Sequence, residues 1–434
     1  MSAPSRVALG NVPSSAAPRG DAAMNTENIV VDLRRMNRVL DWNPETGVIR
    51  VEPGVTLSEL WQYILEDGWW PPVATGTSFT TMGGSAAMNV HGKNAYKAGP
   101  LGDHILEFDL MLASGETITC SREANSDVFY AAIGGFGMLG IFTSLTIQMK
   151  RIYSGLLDVE TTARGNLREM LDYFYENTGR SDYTVGWLDS LAGGRTLGRG
   201  DVHRANYLAP GDDPTPAQTL RLENQHLGPN LFGVVPRSII WMFMWPMMRD
   251  IGVRVVNQGK FLMGNVSGVK RYRQPHAQFH FLLDYVPDFK RAYSPGGLIQ
   301  YQPFIPKETA EDAFGAILAL CQRRGLPNYL TVLKRHKPDD FLLSYAVDGF
   351  SMAMDFRVTN DNRQRMKWLT QELDEIVLAA GGRFYFAKDS TLRPEVARAY
   401  LGDERIAAFH ELKRRCDPDN LLQTDLWRRV FPDK

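Results

Sequence analysis

Apolar positions in the first third of the chain switch between a two-residue and a 3.6-residue period, which predicts short strands and helices in close alternation. IVVDL (29–33) predicts a strand, and GVIRVEPG (47–54) a second, entered from turn residues. Over 56–68, Leu57, Leu60, Trp61, Ile64 and Leu65 share one helical face. Thr56 and Glu59 have capping-box spacing, which satisfies free amides at the helix start, and Gly68 ends the helix. TTMGGSAAMNVHGKN (80–94) follows, a stretch nearly bare of side-chain volume. Residues 105–113 and 117–121 predict a hairpin turning at Ser114-Gly115. Next come a short helix, a glycine cluster at 134–140 and a strand over 141–149.

Past residue 150 the pattern changes. Helical periodicity at 166–177 and 308–323 separates longer strand-like segments such as QFHFLLDYV (278–286) and GLIQYQPFIP (297–306). The span 195–235 is rich in Gly, Pro and Asn and reads as loop. NRQRMKWLTQELDEIVLAAGG (362–382) predicts a long helix with Met366, Leu369, Leu373, Ile376 and Val377 inward and Gly381 as its stop. The greasiest run, SIIWMFMWPMM (238–248), falls short of the roughly 20 apolar residues that span a bilayer. It reads as a buried or cap-covering segment. The other reading is a surface element against membrane or a greasy substrate, with Arg237 and Arg249 at its ends. The pattern predicts an α+β protein whose second domain is built on an antiparallel sheet.

Composition narrows the function classes. At 434 residues the chain exceeds one ordinary core, which fits two domains. The net charge of −1 offers no global field for nucleic acid. Cys120, Cys321 and Cys416 are widely spaced and form neither a CxxC pair nor a zinc set, so no metal is expected. A sparse odd count suits a reducing, cytoplasmic compartment. Residues 1–23 lack the apolar core of a secretory signal and read as a disordered arm.

The glycine clusters are the first candidate chemistry. Gly135, Gly137 and Gly140 fit a dinucleotide GxGxxG by letter, but a strand rather than a helix follows, so that reading fails. Bare backbone presents N–H donors and lets a flat ligand approach. The clusters at 76–92 and 134–140, separated by a hairpin, would make two facing walls of one slot; the bland reading of each glycine is a turn or bulge.

The residues VDLRRMNRVL, VIRVEPGVTLSELWQYI, GTSFTTMGGSAAMNVHGKN, GDHILEFDLMLASGE and NSDVFYAAIGGFGMLGIF together resemble the flavin-binding domain of the vanillyl-alcohol oxidase, or PCMH-type FAD-binding, superfamily. LIQYQPFIP, GFSMAMDF, GRFYFAKDS and DPDNLLQTDLWRR extend the resemblance to the C-terminus, toward the decaprenylphosphoryl-ribose oxidase branch, the flavin half of a two-enzyme epimerase. The resemblance implies an FAD-binding domain at 24–152, an inserted substrate domain at 153–382 and a return to the FAD domain at 383–434. It implies that Gly76, Thr77, Gly83, Gly84, Ala87, Asn89, His91, Gly92, Gly137, Gly140, Ile141 and Tyr385 line FAD. FAD is expected to be non-covalent, because the usual histidine attachment point would fall in an early loop that this sequence lacks.

The same resemblance makes Lys388 the chief catalytic candidate, with Lys334, Gln300 and Gln302 lining the substrate pocket. A cation at the flavin edge stabilises the anionic reduced ring, and a desolvated lysine also serves as a base. Gln300 and Gln302, two apart on a strand, would share a face toward the substrate hydroxyls; the bland alternative is an ordinary half-exposed strand. Where the branch carries cysteine and asparagine, this chain has Ala353 and Ser351, which puts the exact substrate in question. The implied activity is oxidation of a secondary sugar hydroxyl, the sugar free or linked to polyprenyl phosphate. A short-chain reductase is the implied partner, and membrane contact at most peripheral. The alternatives are an alditol or aldonolactone oxidase and a non-catalytic scaffold. The family begins with a βαβ-like subdomain and an Arg-Gly-x-Gly-x-Ser loop; only 28 residues precede Ile29, so most of that subdomain is expected to be missing.

Overall fold

The computed structural model describes residues 7–9 and 24–432, apart from 27, 227, 229, 232–234 and 389. Two antiparallel sheets organise them. The first has five strands in the order Val39–Asn43, Val48–Val51, Ile141–Gln148, Ile105–Met111, Thr117–Ser121. Helix Leu57–Ile64 starts at the expected capping box: Thr56 Oγ1 accepts from Glu59 N at 3.1 Å, and Glu59 Oε2 accepts from Thr56 N at 2.8 Å. Leu57, Leu60, Trp61 and Ile64 are buried, as their spacing requires.

The second sheet runs Lys270–Pro275, Leu156–Arg164, Gly200–Tyr207, Tyr183–Leu188, Leu330–His336, Gly349–Val358, Pro303–Pro306, Arg383–Phe384. Gly297–Tyr301 also pairs with Gly349–Val358. Helices Leu167–Asn177, Ala310–Arg323 and Arg363–Ala379 cover it, and Met366, Leu369, Leu373 and Val377 are buried as predicted. The last helices return to the first sheet. Phe409, Trp427 and Phe431 gather around Phe136 with ring centroids 5.8–6.4 Å away, and Arg415 pairs with Asp127 at 2.7 Å.

Several local expectations are corrected. Val7–Leu9 pairs in parallel with Ile29–Val31, so the arm contains a strand; residues 1–6 and 10–23 lie outside the described residues. The span 195–235 includes Gly200–Tyr207, an interior strand of the second sheet; its neighbours on both sides override weak local propensity. QFHFLLDYV is not a strand but the short helix His276–His280 and the 3-10 turn Leu282–Tyr285. The apolar run at 238–248 is not buried: Met242, Phe243 and Trp245 face outward.

Candidate active site

A cavity of about 770 Å³ lies between the two sheets, within the range that holds a drug-sized ligand or cofactor. Its first wall is the small-residue stretch. Gly76, Thr77, Gly83, Gly84, Ala87, His91, Gly137 and Gly140 all line it. The two glycine clusters do not face each other across a slot, as the sequence suggested. Backbone bonds Gly134 N to Ala86 O (3.0 Å) and Phe136 N to Ala87 O (2.8 Å) join them into one ledge. The opposite wall comes from the second sheet through Gly186, Trp187, Gln300, Lys334, Ala353 and Asp355. The loop after residue 281 closes one end, with Leu283 N on Gly76 O (3.1 Å) and Ser78 N and Oγ both on Asp284 Oδ2 (2.9 and 2.7 Å).

The glycines divide by what their missing Cβ allows. A Cβ at Gly83 would lie 2.6 Å from Pro53 Cβ, at Gly92 2.6 Å from Asn94 Oδ1, and at Gly140 2.7 Å from Leu110 Cγ. Those three let the chain pack on itself. At Gly76 a Cβ meets only Leu283, at 3.6 Å, so its backbone is open to the cavity. Gly137 has φ +80°, where other residues are strained.

Four sequence candidates stand behind the wall rather than in it: Asn89, Gly92, Ile141 and Gln302. Asn89 adopts φ +43° and is a turn residue, its Oδ1 accepting from Gly102 N at 2.8 Å and its carbonyl from Tyr345. Ile141 pairs with Met111 at a strand start. The strand 297–306 breaks at Gln302, so Gln300 and Gln302 do not share a face. Gln300 reaches the cavity and donates to Asp355 Oδ1 at 2.5 Å. Gln302 Nε2 is buried and donates to His91 Nε2 (3.1 Å) and Ser351 Oγ (3.0 Å), and Ser351 in turn meets His336 Nε2 at 2.8 Å. His91 sits edge-on to His336 (4.8 Å) and beside Tyr385 (5.4 Å). Burial, then the nearby Lys334, holds its pKa well below the usual histidine range, so His91 is neutral.

Lys334 and Lys388 are half-buried in the wall. Desolvation lowers both pKa values; the charge of Lys388 lowers that of Lys334 further, whereas Asp355 favours the cationic form of Lys388. Burial raises the Tyr385 phenol above its ordinary range. Lys93, from the same HGKN motif as His91, was passed over in the sequence reading although the motif pointed to it. Its Nζ donates to the Phe279 carbonyl and lies 4.4 Å from that ring's centroid, and burial brings its pKa down to about 7. Lys260, His203 and Trp187 also line the cavity and carried no sequence signal, because only tertiary folding brings them near residue 76.

Flavin chemistry suits this donor set. The backbone N–H groups of Gly76, Thr77 and Gly137 have no acceptor among the described residues, and the ledge is open where Gly76 lacks a Cβ. Lysine side chains on the far wall become charged beside an anion, which suits an anionic cofactor and an anionic reduced ring. The FAD binding domain family matches residues 14–121. Decaprenylphosphoryl-β-D-ribose oxidase of Mycolicibacterium smegmatis is 30% identical over 95% of this chain and 86% of its own length. Bovine L-gulonolactone oxidase is 28% identical over 94% of this chain and 86% of its own length. Fold, cavity and relatives define an FAD-dependent oxidoreductase of the PCMH-type superfamily, acting on CH–OH groups. Within that class the chain belongs to the family of decaprenylphosphoryl-β-D-ribose oxidase.

Proposed function

We propose that the protein oxidises a secondary hydroxyl of a pentose carried on polyprenyl phosphate. The observation that carries this reading is the pair of half-buried lysines, Lys334 and Lys388, beside Gln300 on the wall opposite the bare ledge. Bound non-covalently, FAD supplies the hydride acceptor. Gln300, fixed by Asp355, orients the sugar hydroxyl. Burial favours the neutral amine of Lys388, and in that form its Nζ takes the hydroxyl proton as the C–H bond gives up its hydride, leaving a ketone and an ammonium that Asp355 steadies. Lys334 pairs with the substrate phosphate, whose negative charge favours the protonated lysine and offsets its loss of solvent. A keto-sugar product calls for a hydride-donating reductase as partner. Ala353 lines the same wall without a thiol, and Ser351 stands behind it on Gln302.

The bovine relative favours a second reading, a free aldonolactone as substrate. Anaerobic mixing of the holoenzyme with a short-chain polyprenylphosphoryl ribose, followed by flavin absorbance, separates the two. Bleaching by the phosphoryl sugar and not by L-gulonolactone supports the proposal. The reverse pattern refutes it.

A further inference from the structure

Helix Asp250–Ser267 has its polarity inverted. A surface helix ordinarily turns apolar residues inward and polar ones to water. Here the inward face holds Val253, Asn257, Lys260 and Gly264: Asn257 donates to Asp189 Oδ1 at 2.8 Å, and Lys260 Nζ stands 3.7 Å from the Trp187 ring centroid. The opposite side is apolar and open. Ile251 is 79% exposed, Val255 61%, Leu262 49% and Val266 86%. At 100° per residue these four fall within about 60° of arc. The preceding helix Ile240–Met244 continues the patch with Met242 and Phe243, and Trp245 follows. Desolvating this face is favourable, and nothing among the described residues covers it.

Charge says what covers it. Residues 237–273 contain seven basic side chains (Arg237, Arg249, Arg254, Lys260, Lys270, Arg271, Arg273) and one acidic, Asp250, in a chain whose net charge is −1. Arg271 is held by Glu160, but exposed Arg249 and Lys270 stand at the two ends of the apolar face. Arg249 occupies the helix N-cap, where the helix dipole disfavours a cation, so its charge does not serve the helix. Two copies meeting through this face would set basic flanks against each other. An apolar stripe edged by cations and tryptophans fits the headgroup region of an anionic bilayer. No helix among the described residues is long and apolar enough to cross a membrane, so the element lies on the surface rather than spanning it.

We propose that the outward face of Asp250–Ser267, together with Ile240–Met244, seats the protein on an anionic lipid bilayer. Because Lys260 on the inner side of the same helix lines the cavity, the seat places the cavity beside the lipid. The functional consequence rests on the polyprenyl-phosphate reading: a lipid-borne sugar would enter without crossing water.

The test is flotation of the holoenzyme with phosphatidylcholine vesicles, alone or with about a quarter phosphatidylglycerol. The wild type is expected to float with the anionic vesicles and to fall away as salt rises. The triple variant V255Q/L262Q/V266Q should lose about tenfold in bound fraction at unchanged FAD content, and R249Q/K270Q should lose the preference for phosphatidylglycerol. Wild type that stays unbound overturns the proposal, as does a triple variant that binds as well as wild type. A wild-type dimer that the triple variant dissolves, without vesicle binding, assigns the face to a second copy instead. Flotation involves no turnover, so it stands or fails independently of whether a phosphoryl sugar bleaches the flavin.

Discussion

Replacing Gln302 by leucine separates a positioning residue from one that meets substrate. Gln302 is buried and gives two hydrogen bonds, to His91 Nε2 at 3.1 Å and Ser351 Oγ at 3.0 Å. Leucine fills similar volume, so no large cavity opens. His91 Nε2 loses its partner and is left buried without one, at a cost of about 1–3 kcal/mol. Ser351 keeps His336, which limits the second loss to about 0.5–1.5 kcal/mol. Gln302 Oε1 is itself unpartnered, and removing it returns roughly 1 kcal/mol. The expected net loss is about 0.5–3.5 kcal/mol, read from the urea midpoint of tryptophan fluorescence. The parallel Gln300→Leu variant removes one donor from buried Asp355, which should cost about 1–3 kcal/mol, and it should also raise KM for the sugar, because Gln300 is half-buried at the cavity. If the Gln302 variant raises KM for the sugar as much as the Gln300 variant does, with its stability unchanged, the division of roles between the two is wrong.

The remaining expectations concern the ledge, the cations and pH. Gly83→Ala sets a Cβ 2.6 Å from Pro53 Cβ, and should cost about 1–3 kcal/mol and lower the FAD content of purified protein, measured by absorbance after denaturation. Lys388→Met should slow single-turnover flavin reduction by about 100-fold with FAD still bound; a rate within about threefold of wild type would remove Lys388 from the chemistry. Lys93 is neutral in the folded protein above about pH 7 but stays protonated in the unfolded chain up to the ordinary lysine range. The unfolded state therefore binds the extra proton across that window, and stability should rise with pH from about 7 upward at fixed FAD saturation. Lys93→Met should lessen the slope of this rise in a denaturation series, the remainder coming from Lys260, Lys334 and Lys388.

Much of the framework is local and was legible in the residues. The capping box at Thr56 and Glu59, the inward stripe of 363–379 and the hairpin at Ser114-Gly115 depend on contacts a few residues apart, which the chain specifies wherever it lies. The small-residue clusters also marked the ledge, because only bare backbone permits such close approach. How those clusters meet was not legible. Their joining through Gly134 and Phe136 depends on a register between segments about fifty residues apart, which no local period encodes. The same holds for Gln302, where a two-residue alternation predicted a shared face and a break in the strand turned the side chain to His91.

The sequence by itself determined the elements with a strong local signal, such as the capped helix Leu57–Ile64 and the helix Arg363–Ala379, which stretches stay bare, and that a lysine follows the apolar FYFA segment near the C-terminus. Those properties follow from side-chain size, branching and period along one dimension. Tertiary structure alone decided that Lys93, Lys260, Lys334 and Lys388 share one cavity, and that helix Asp250–Ser267 turns its apolar side to the outside. Burial lowers the pKa of all four, repulsion from Lys388 and Lys93 adds to it at Lys334, and Asp201 and Asp355 oppose it at Lys260 and Lys388; each is a property of three-dimensional proximity.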